Sequence, residues 1–112
     1  MATVDTPARS IASYADPLEI LLEQDLWGTR LIIDSAAPLT GEQFRTEFPM
    51  GFGTLQKTLA HMASAVYRWG DVLGGNMPRA PLEWANFPTP ASFVPAFDES
   101  NALLRVQAAA RP

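Results

Sequence analysis

Apolar residues recur at helical spacing along much of the chain, most clearly between Gly51 and Gly75. The apolar positions of this segment follow one another at steps of three and four, so they share one side of a helix. They are Leu55, Leu59, Met62, Val66, Trp69 and Leu73. Thr54 is placed to cap the first turn, and Gly74 can take the left-handed conformation that ends a helix. The pattern predicts a helix between these caps whose apolar side, Trp69 included, packs into the core.

A second helical pattern precedes it. Asp16 can cap a helix that has Pro17 at its first position, and the pattern then continues to about Ala37, before Pro38. Its predicted core face contains Leu18, Leu22, Leu26, Thr29 and Ile33, and Ile20, Trp27 and Leu31 widen the apolar part. An apolar side of this width predicts contact with two neighbouring elements.

The remaining patterns are shorter. Thr40 to Gln43 has the spacing of a capping box and predicts a short helical turn that carries Phe44 inward. Ser92 can cap a last helix with Pro95 in its first turn. The apolar residues of that helix are Phe93, Phe97, Leu103, Leu104, Val106, Ala108 and Ala110. No segment alternates as a strand would, so the sequence predicts an all-α bundle of three main helices and one short turn.

Length and charge narrow the class of protein. The 112 residues fit one domain, which we place at residues 16–112, preceded by an N-terminal arm at residues 1–15. The net charge is −4 and the eight lysines and arginines are scattered, which argues against nucleic acid and membrane surfaces as partners. No apolar run suits a signal peptide or a membrane span, so we expect a cytoplasmic protein. The absence of cysteine leaves His, Asp and Glu as candidate metal ligands.

His61, the only histidine, is the candidate metal-ligating residue. One residue of helix corresponds to about 100° of rotation, so His61 lies at the edge of the apolar side that contains Met62. The positions one turn away carry no further ligand, and the nearest acidic candidates are Asp25 or Glu23 on the first helix. The alternative interpretation is a packed, hydrogen-bonded histidine without a ligand.

Other catalytic arrangements have less support. The serines show no GxSxG elbow, and the sequence has only one histidine to act as their base, which argues against serine-based catalysis. Arg68 and Trp69 suit an anionic or aromatic ligand. The alternative is an exposed arginine beside a core tryptophan.

The order of several short motifs resembles the DinB-like (damage-inducible) metal-binding helical bundles, which are unrelated to the DNA polymerase sharing that name. The motifs are Leu26-Trp27-x-Thr29-x-Leu31, Leu39-Thr40 with Phe44, Gly53-Thr54-Leu55, Thr58-Leu59-x-His61, Arg68-Trp69 and Asp98-Glu99-x-Asn101-x-Leu103-Leu104. Together they span about residues 16 to 110.

The resemblance implies an up-down four-helix bundle with a long crossover and a divalent metal, zinc or nickel, held by three histidines. One histidine comes from the second helix, where His61 matches it, and two come from an HxxxH motif on the fourth helix. Members with an assigned activity are metal-dependent thiol transferases or isomerases. This sequence has no HxxxH motif and ends where the fourth helix would begin, so only one of the three ligands is present.

Two functional hypotheses follow. A metal-dependent enzyme with an incomplete site would place His61 beside a pocket with at least one more polar group. A non-catalytic binding or dimerisation module would expose apolar helix faces. Three helices with broad apolar sides cannot bury all of that apolar surface against one another, so a fourth helix or a partner has to cover the rest. We expect a homodimer, in which the partner covers these faces.

Overall fold

The computed structural model describes residues 16–110, and every regular element in that part of the chain is helical. The three main helices are α1 (Pro17–Ala36), α3 (Leu55–Leu73) and α4 (Val94–Ala109), and α2 (Gly41–Phe44) is a short helical turn. Two 3₁₀ turns (Trp84–Asn86 and Pro90–Phe93) precede α4. The all-α prediction is therefore confirmed for residues 16–110. The predicted arm at residues 1–15 lies outside the described residues.

The predicted caps account for three of the helix starts. The side chain of Asp16 accepts a hydrogen bond from the Leu18 N–H at 3.0 Å, and Thr54 accepts one from the Lys57 N–H at 3.0 Å. The predicted capping box of α2, between Thr40 and Gln43, is also present. These bonds satisfy backbone donors that the first helical turn leaves without a partner.

Two helix ends differ from the prediction. Ser92 belongs to a capping box with Thr89 that opens the second 3₁₀ turn, and α4 begins two residues later without a side-chain cap. At the end of α3, Gly74 has a φ of −81° and the left-handed conformation falls on Gly75, with a φ of +78°.

Helix α4 lies against both α1 and α3, whereas direct contact between α1 and α3 is slight. On α1, Glu23 accepts a hydrogen bond from Arg105 at 2.9 Å, and Arg30 donates to Asp98 at 2.7 Å. Since the residue numbers rise along one helix as they fall along the other, α1 and α4 are antiparallel.

Helices α3 and α4 are parallel. The hydroxyl of Tyr67 donates to Glu99, and Gly70, one turn later, faces Leu103. A parallel pair needs a long connection, and residues 74–93 provide it by crossing from the end of α3 back to its start. None of the helices within residues 16–110 is both long enough and apolar enough for a membrane span.

An aromatic cluster forms the centre of the core. Phe93 is fully buried and contacts the rings of Phe44, Phe87 and Phe97, at centroid distances of 6.3, 4.4 and 6.4 Å. Because these residues come from α2, the crossover and α4, the cluster fixes the crossover against the helices. The further buried members of the core are Ile33, Leu59, Ala60, Ala63, Tyr67 and Ala96.

The buried side of α3 differs in part from the predicted one, although Leu59 is buried and Leu55 and Met62 pack against the core as predicted. Its buried residues are Gln56, Leu59, Ala60, Ala63, Tyr67, Gly70 and Asp71. They are centred about one residue, roughly 100° of rotation, from the predicted apolar stripe. Trp69, predicted to be in the core, is 59% exposed, and Leu73 is 50% exposed. On α1, Trp27 and Leu31 are likewise exposed. Gly70 faces α4, where the absence of a side chain lets Leu103 and the Leu104 backbone approach closely.

Candidate functional site

His61 lies at the surface of α3 and stacks on the ring of Phe52, with 4.1 Å between centroids and 26° between ring planes. Neither imidazole nitrogen makes a hydrogen bond to any of residues 16–110. This differs from the packed, hydrogen-bonded histidine of the alternative interpretation. The ring nitrogens are therefore accessible to a ligand.

His61 borders a cavity of about 460 Å³ between α3 and the crossover, which we call the His61 pocket. Its apolar and aromatic lining residues are Phe52, Ala60, Ala65, Pro81, Leu82 and Trp84, and its polar ones are Lys57, His61, Ser64, Arg68 and Arg79. The first functional hypothesis expected a pocket with a further polar group beside this histidine, and the structure contains one.

Polar side chains of α3 hold the crossover in place as the outer wall of the pocket. The hydroxyl of Ser64 accepts a hydrogen bond from the Leu82 N–H at 2.9 Å and donates to the Ala60 carbonyl at 2.7 Å. The amide nitrogen of Gln56 donates to the carbonyls of Trp84 and Phe87 at 3.1 and 3.0 Å. Within residues 16–110, this part of the crossover has no neighbouring strand or long helix to pair its backbone groups, so these side chains provide the hydrogen-bond partners.

Arg79 anchors the same wall through Asp71, which is 5% exposed. The carboxylate accepts hydrogen bonds from the backbone N–H, Nε and Nη2 of Arg79 at 3.0, 2.9 and 2.8 Å. The guanidinium also stacks over the ring of Tyr67, 4.4 Å from its centroid. The side-chain bonds of Arg79, followed by its backbone bond, lower the pKa of Asp71 to about 2. Burial, followed by the bond to Glu99, raises the pKa of Tyr67 to about 12.

The Asp71 carboxylate should make part of the stability depend on pH. Its usual pKa of 3.8 falls to about 2 on folding, so the unfolded chain binds the proton more readily than the folded one between these values. Its contribution is therefore complete above about pH 4 and is lost as the pH falls towards 2. We expect Asp71→Asn to remove this part of the acid dependence. Urea unfolding at a series of pH values between 2 and 5 measures it.

Asp34→Asn is the control, because Asp34 is exposed and makes no ion pair within residues 16–110. This variant should keep the dependence on pH of the original chain. An acid dependence that is the same in Asp71→Asn and in the original chain would refute the role assigned to this ion pair.

All charged residues that line the His61 pocket are cations. Lys57 has its Nζ 3.6 Å from Glu47 and 4.9 Å from the centroid of the Trp84 ring, and Arg79 is bound by Asp71. Arg68 is exposed and forms no ion pair within residues 16–110. The pocket therefore attracts anions, and Arg68 is the cation free to bind one.

The residues around His61 do not fit a resident divalent metal. No group of three His, Cys, Asp or Glu that could hold an ion occurs within residues 16–110, and the three cations of the pocket would repel one. Of the acidic candidates, Asp25 lines a different groove and Glu23 binds Arg105. The prediction that His61 ligates zinc or nickel would need ligands from outside the described residues.

A second concave surface, which we call the α1/α3 groove, lies between α1 and α3. It measures about 470 Å³ and is lined by Leu21, Leu22, Asp25, Ala65, Val66, Trp69, Leu73 and Leu104. Leu21 is 65% exposed, and Trp69 and Leu73 also reach solvent. Asp25 is the one charged residue of this lining, so the groove is a largely apolar surface.

The structure thus separates Arg68 from Trp69, the pair that the sequence suggested for an anionic or aromatic ligand. Arg68 lines the His61 pocket and Trp69 the α1/α3 groove. Sequence reasoning missed the part of Lys57, although polar residues recur at helical steps at 57, 61, 64 and 68 and so indicate a polar side. No comparable spacing connects the crossover residues to His61.

Comparison with protein-family models, curated proteins and solved structures finds no match for this chain.

Proposed function

We propose that this chain is a non-catalytic helical binding module that forms a homodimer through the α1/α3 groove. The observation that carries the proposal is that α4 covers α1 and α3 from one side only. On the other side the two helices leave the groove open, with Leu21 and Trp69 exposed on its walls. In a four-helix bundle a further helix occupies this position.

A second copy is the occupant that fits this surface. The groove is lined by α1, α3 and Leu104 of α4, and the side chains of Leu21 and Trp69 are exposed at it. Around a two-fold axis, the same patch of each copy faces the other, so protruding side chains of one copy enter the groove of its partner. Asp25 is the single charge in the groove, which limits repulsion between two identical acidic chains.

The arrangement of the helices supports the DinB-like assignment as a proposal. A long crossover joins α3 to α4, as the resemblance implies. The parallel orientation of these two helices differs from the alternation of a simple up-down bundle. We do not extend the proposal to metal-dependent thiol chemistry, because the donors around His61 within residues 16–110 do not fit the metal.

Trp69→Gln should weaken the dimer by about tenfold or more, since a tryptophan at the centre of an interface is commonly among its main contributors. The dissociation constant is measured by sedimentation over a range of concentrations. Trp27→Gln is the matched control, because Trp27 is equally exposed, at 62%, and does not line the groove. It should change the constant by less than about twofold. A chain that is monomeric at all concentrations, or an equal effect of both substitutions, would rule out the proposed interface.

A further inference from the structure

We propose that the His61 pocket binds a small aromatic carboxylate, with Arg68 binding the carboxylate group and the aromatic walls holding the ring. The pocket and the groove share Ala65 and are otherwise lined by different residues. The proposal does not rest on the dimer.

The volume and lining suit a small organic molecule. Ligand pockets typically measure about 300 to 1,000 Å³ and combine apolar walls with a few convergent polar groups. The His61 pocket, at about 460 Å³, has this composition. Its outer wall is held by the bonds of Ser64 to Leu82 and of Arg79 to Asp71. The site therefore needs little ordering when a ligand binds, which favours affinity.

The charges of the pocket select an anion. Three of the eight lysines and arginines of an acidic chain line this cavity, and no Asp or Glu does. Asp71 fixes Arg79 and neutralises it, and Glu47 lies near Lys57. Arg68 remains without an ion pair within residues 16–110. Its planar guanidinium can donate two parallel hydrogen bonds to a carboxylate, which makes a carboxylate a well-matched group.

The aromatic residues of the pocket select a ring. Phe52 and His61 already stack on each other, and the two large aromatic residues of the lining, Phe52 and Trp84, are 51% and 39% exposed. An aromatic ligand would cover these exposed rings, and offset stacking or edge contacts would add to the area that it buries. The ring nitrogens of His61, which have no partner within residues 16–110, offer a further polar contact at the rim.

The experiment uses 2-naphthoate as the probe and 2-naphthamide as its uncharged counterpart, titrated into the full chain by isothermal calorimetry. Amide chemical shifts in ¹H–¹⁵N spectra locate the site. We expect 2-naphthoate to shift the resonances of residues 52, 61, 68 and 84 and to bind at least about tenfold more tightly than the amide, because a charge-assisted hydrogen bond to Arg68 is lost in the amide.

Two arginine variants test the role of the guanidinium. Arg68→Gln should weaken binding of 2-naphthoate by about tenfold or more. Arg45→Gln, at an exposed arginine outside the pocket, should leave it within about twofold. Arg68→Lys keeps the charge but loses the two parallel hydrogen-bond donors of the guanidinium. Its affinity for 2-naphthoate should therefore lie between those of the original chain and Arg68→Gln.

Several results would overturn the proposal. They are no binding of 2-naphthoate at millimolar concentration, equal affinity for 2-naphthamide, equal effects of the changes at Arg68 and Arg45, or shifts centred on Trp69 in the α1/α3 groove. Inorganic phosphate is titrated as a bare anion. If it bound as tightly as 2-naphthoate, the aromatic walls would have no part in recognition.

Discussion

Replacing Phe93 by alanine is expected to lower the free energy of unfolding by about 3 to 5 kcal/mol, the range for a large aromatic residue removed from a core. Phe93 is fully buried and contacts three other aromatic rings, from α2, the crossover and α4. The cavity left behind would be surrounded by side chains from separate elements, so it cannot be closed by moving one of them. Urea unfolding followed by circular dichroism measures the change.

Phe48→Ala is the matched control for this prediction. Phe48 is 55% exposed and takes no part in the aromatic cluster. Its replacement should change the free energy of unfolding by no more than about 0.5 kcal/mol. If the two substitutions had similar effects, Phe93 would not be the centre of the core.

Replacing Gly70 by leucine should cost about 3 kcal/mol, the upper end of the usual range for overpacking. A Cβ at Gly70 would lie 2.7 and 2.8 Å from the Cγ and Cδ2 of Leu103, and 3.4 Å from the backbone nitrogen of Leu104. Small movements of the Leu103 side chain could relieve part of this overlap, but a whole leucine would force α4 away from α3. The same unfolding measurement applies.

Gly28→Leu provides the opposite case with the same substitution. Gly28 is within α1, and a Cβ built there meets no atom within 4 Å. Leucine has a better helix propensity than glycine, so this variant should be more stable by about 0.5 kcal/mol. Destabilisation of both variants to the same extent would show that the approach of α4 to Gly70 is not what makes that position sensitive.

Much of the helical framework could be predicted from sequence because helix starts depend on local chemistry. Asp16, Thr40 and Thr54 cap the turns that follow them, as their side chains and spacing indicate. The start of α4 was misplaced, since Ser92 acts within a capping box with Thr89 rather than at the helix itself. The capping pattern near Ser92 therefore predicted that a helical segment begins there, but not that this segment is a 3₁₀ turn rather than the α-helix itself.

The orientation of α3 could not be predicted from its apolar period. The large apolar residues identify one side, but the side that packs is chosen by how closely α4 can approach. Gly70 permits that approach, since a Cβ there would meet Leu103 and Leu104 of α4, and Trp69 is left at the surface. Helix α3 contributes residues to the core, to the His61 pocket and to the α1/α3 groove. A single apolar period in the sequence cannot distinguish these three surfaces.

The candidate site was predicted in part. His61 lies at the edge of a pocket, as its position beside the apolar stripe suggested. Trp84 and Arg79 could not be connected with it, because the crossover has no regular period and its path depends on single bonds such as that of Ser64 to Leu82. Tertiary hydrogen bonds of this kind leave no pattern in the sequence.

Isotope-filtered nuclear Overhauser spectroscopy on an equal mixture of ¹³C-labelled and unlabelled chains detects whether a second copy of the chain covers the α1/α3 groove. We expect contacts between copies that join the ring of Trp69 to methyl groups of Leu21, Val66 or Leu73. A mixture that shows no contacts between copies at concentrations where the chain sediments as a dimer, or contacts that join other surfaces, would contradict the proposed interface.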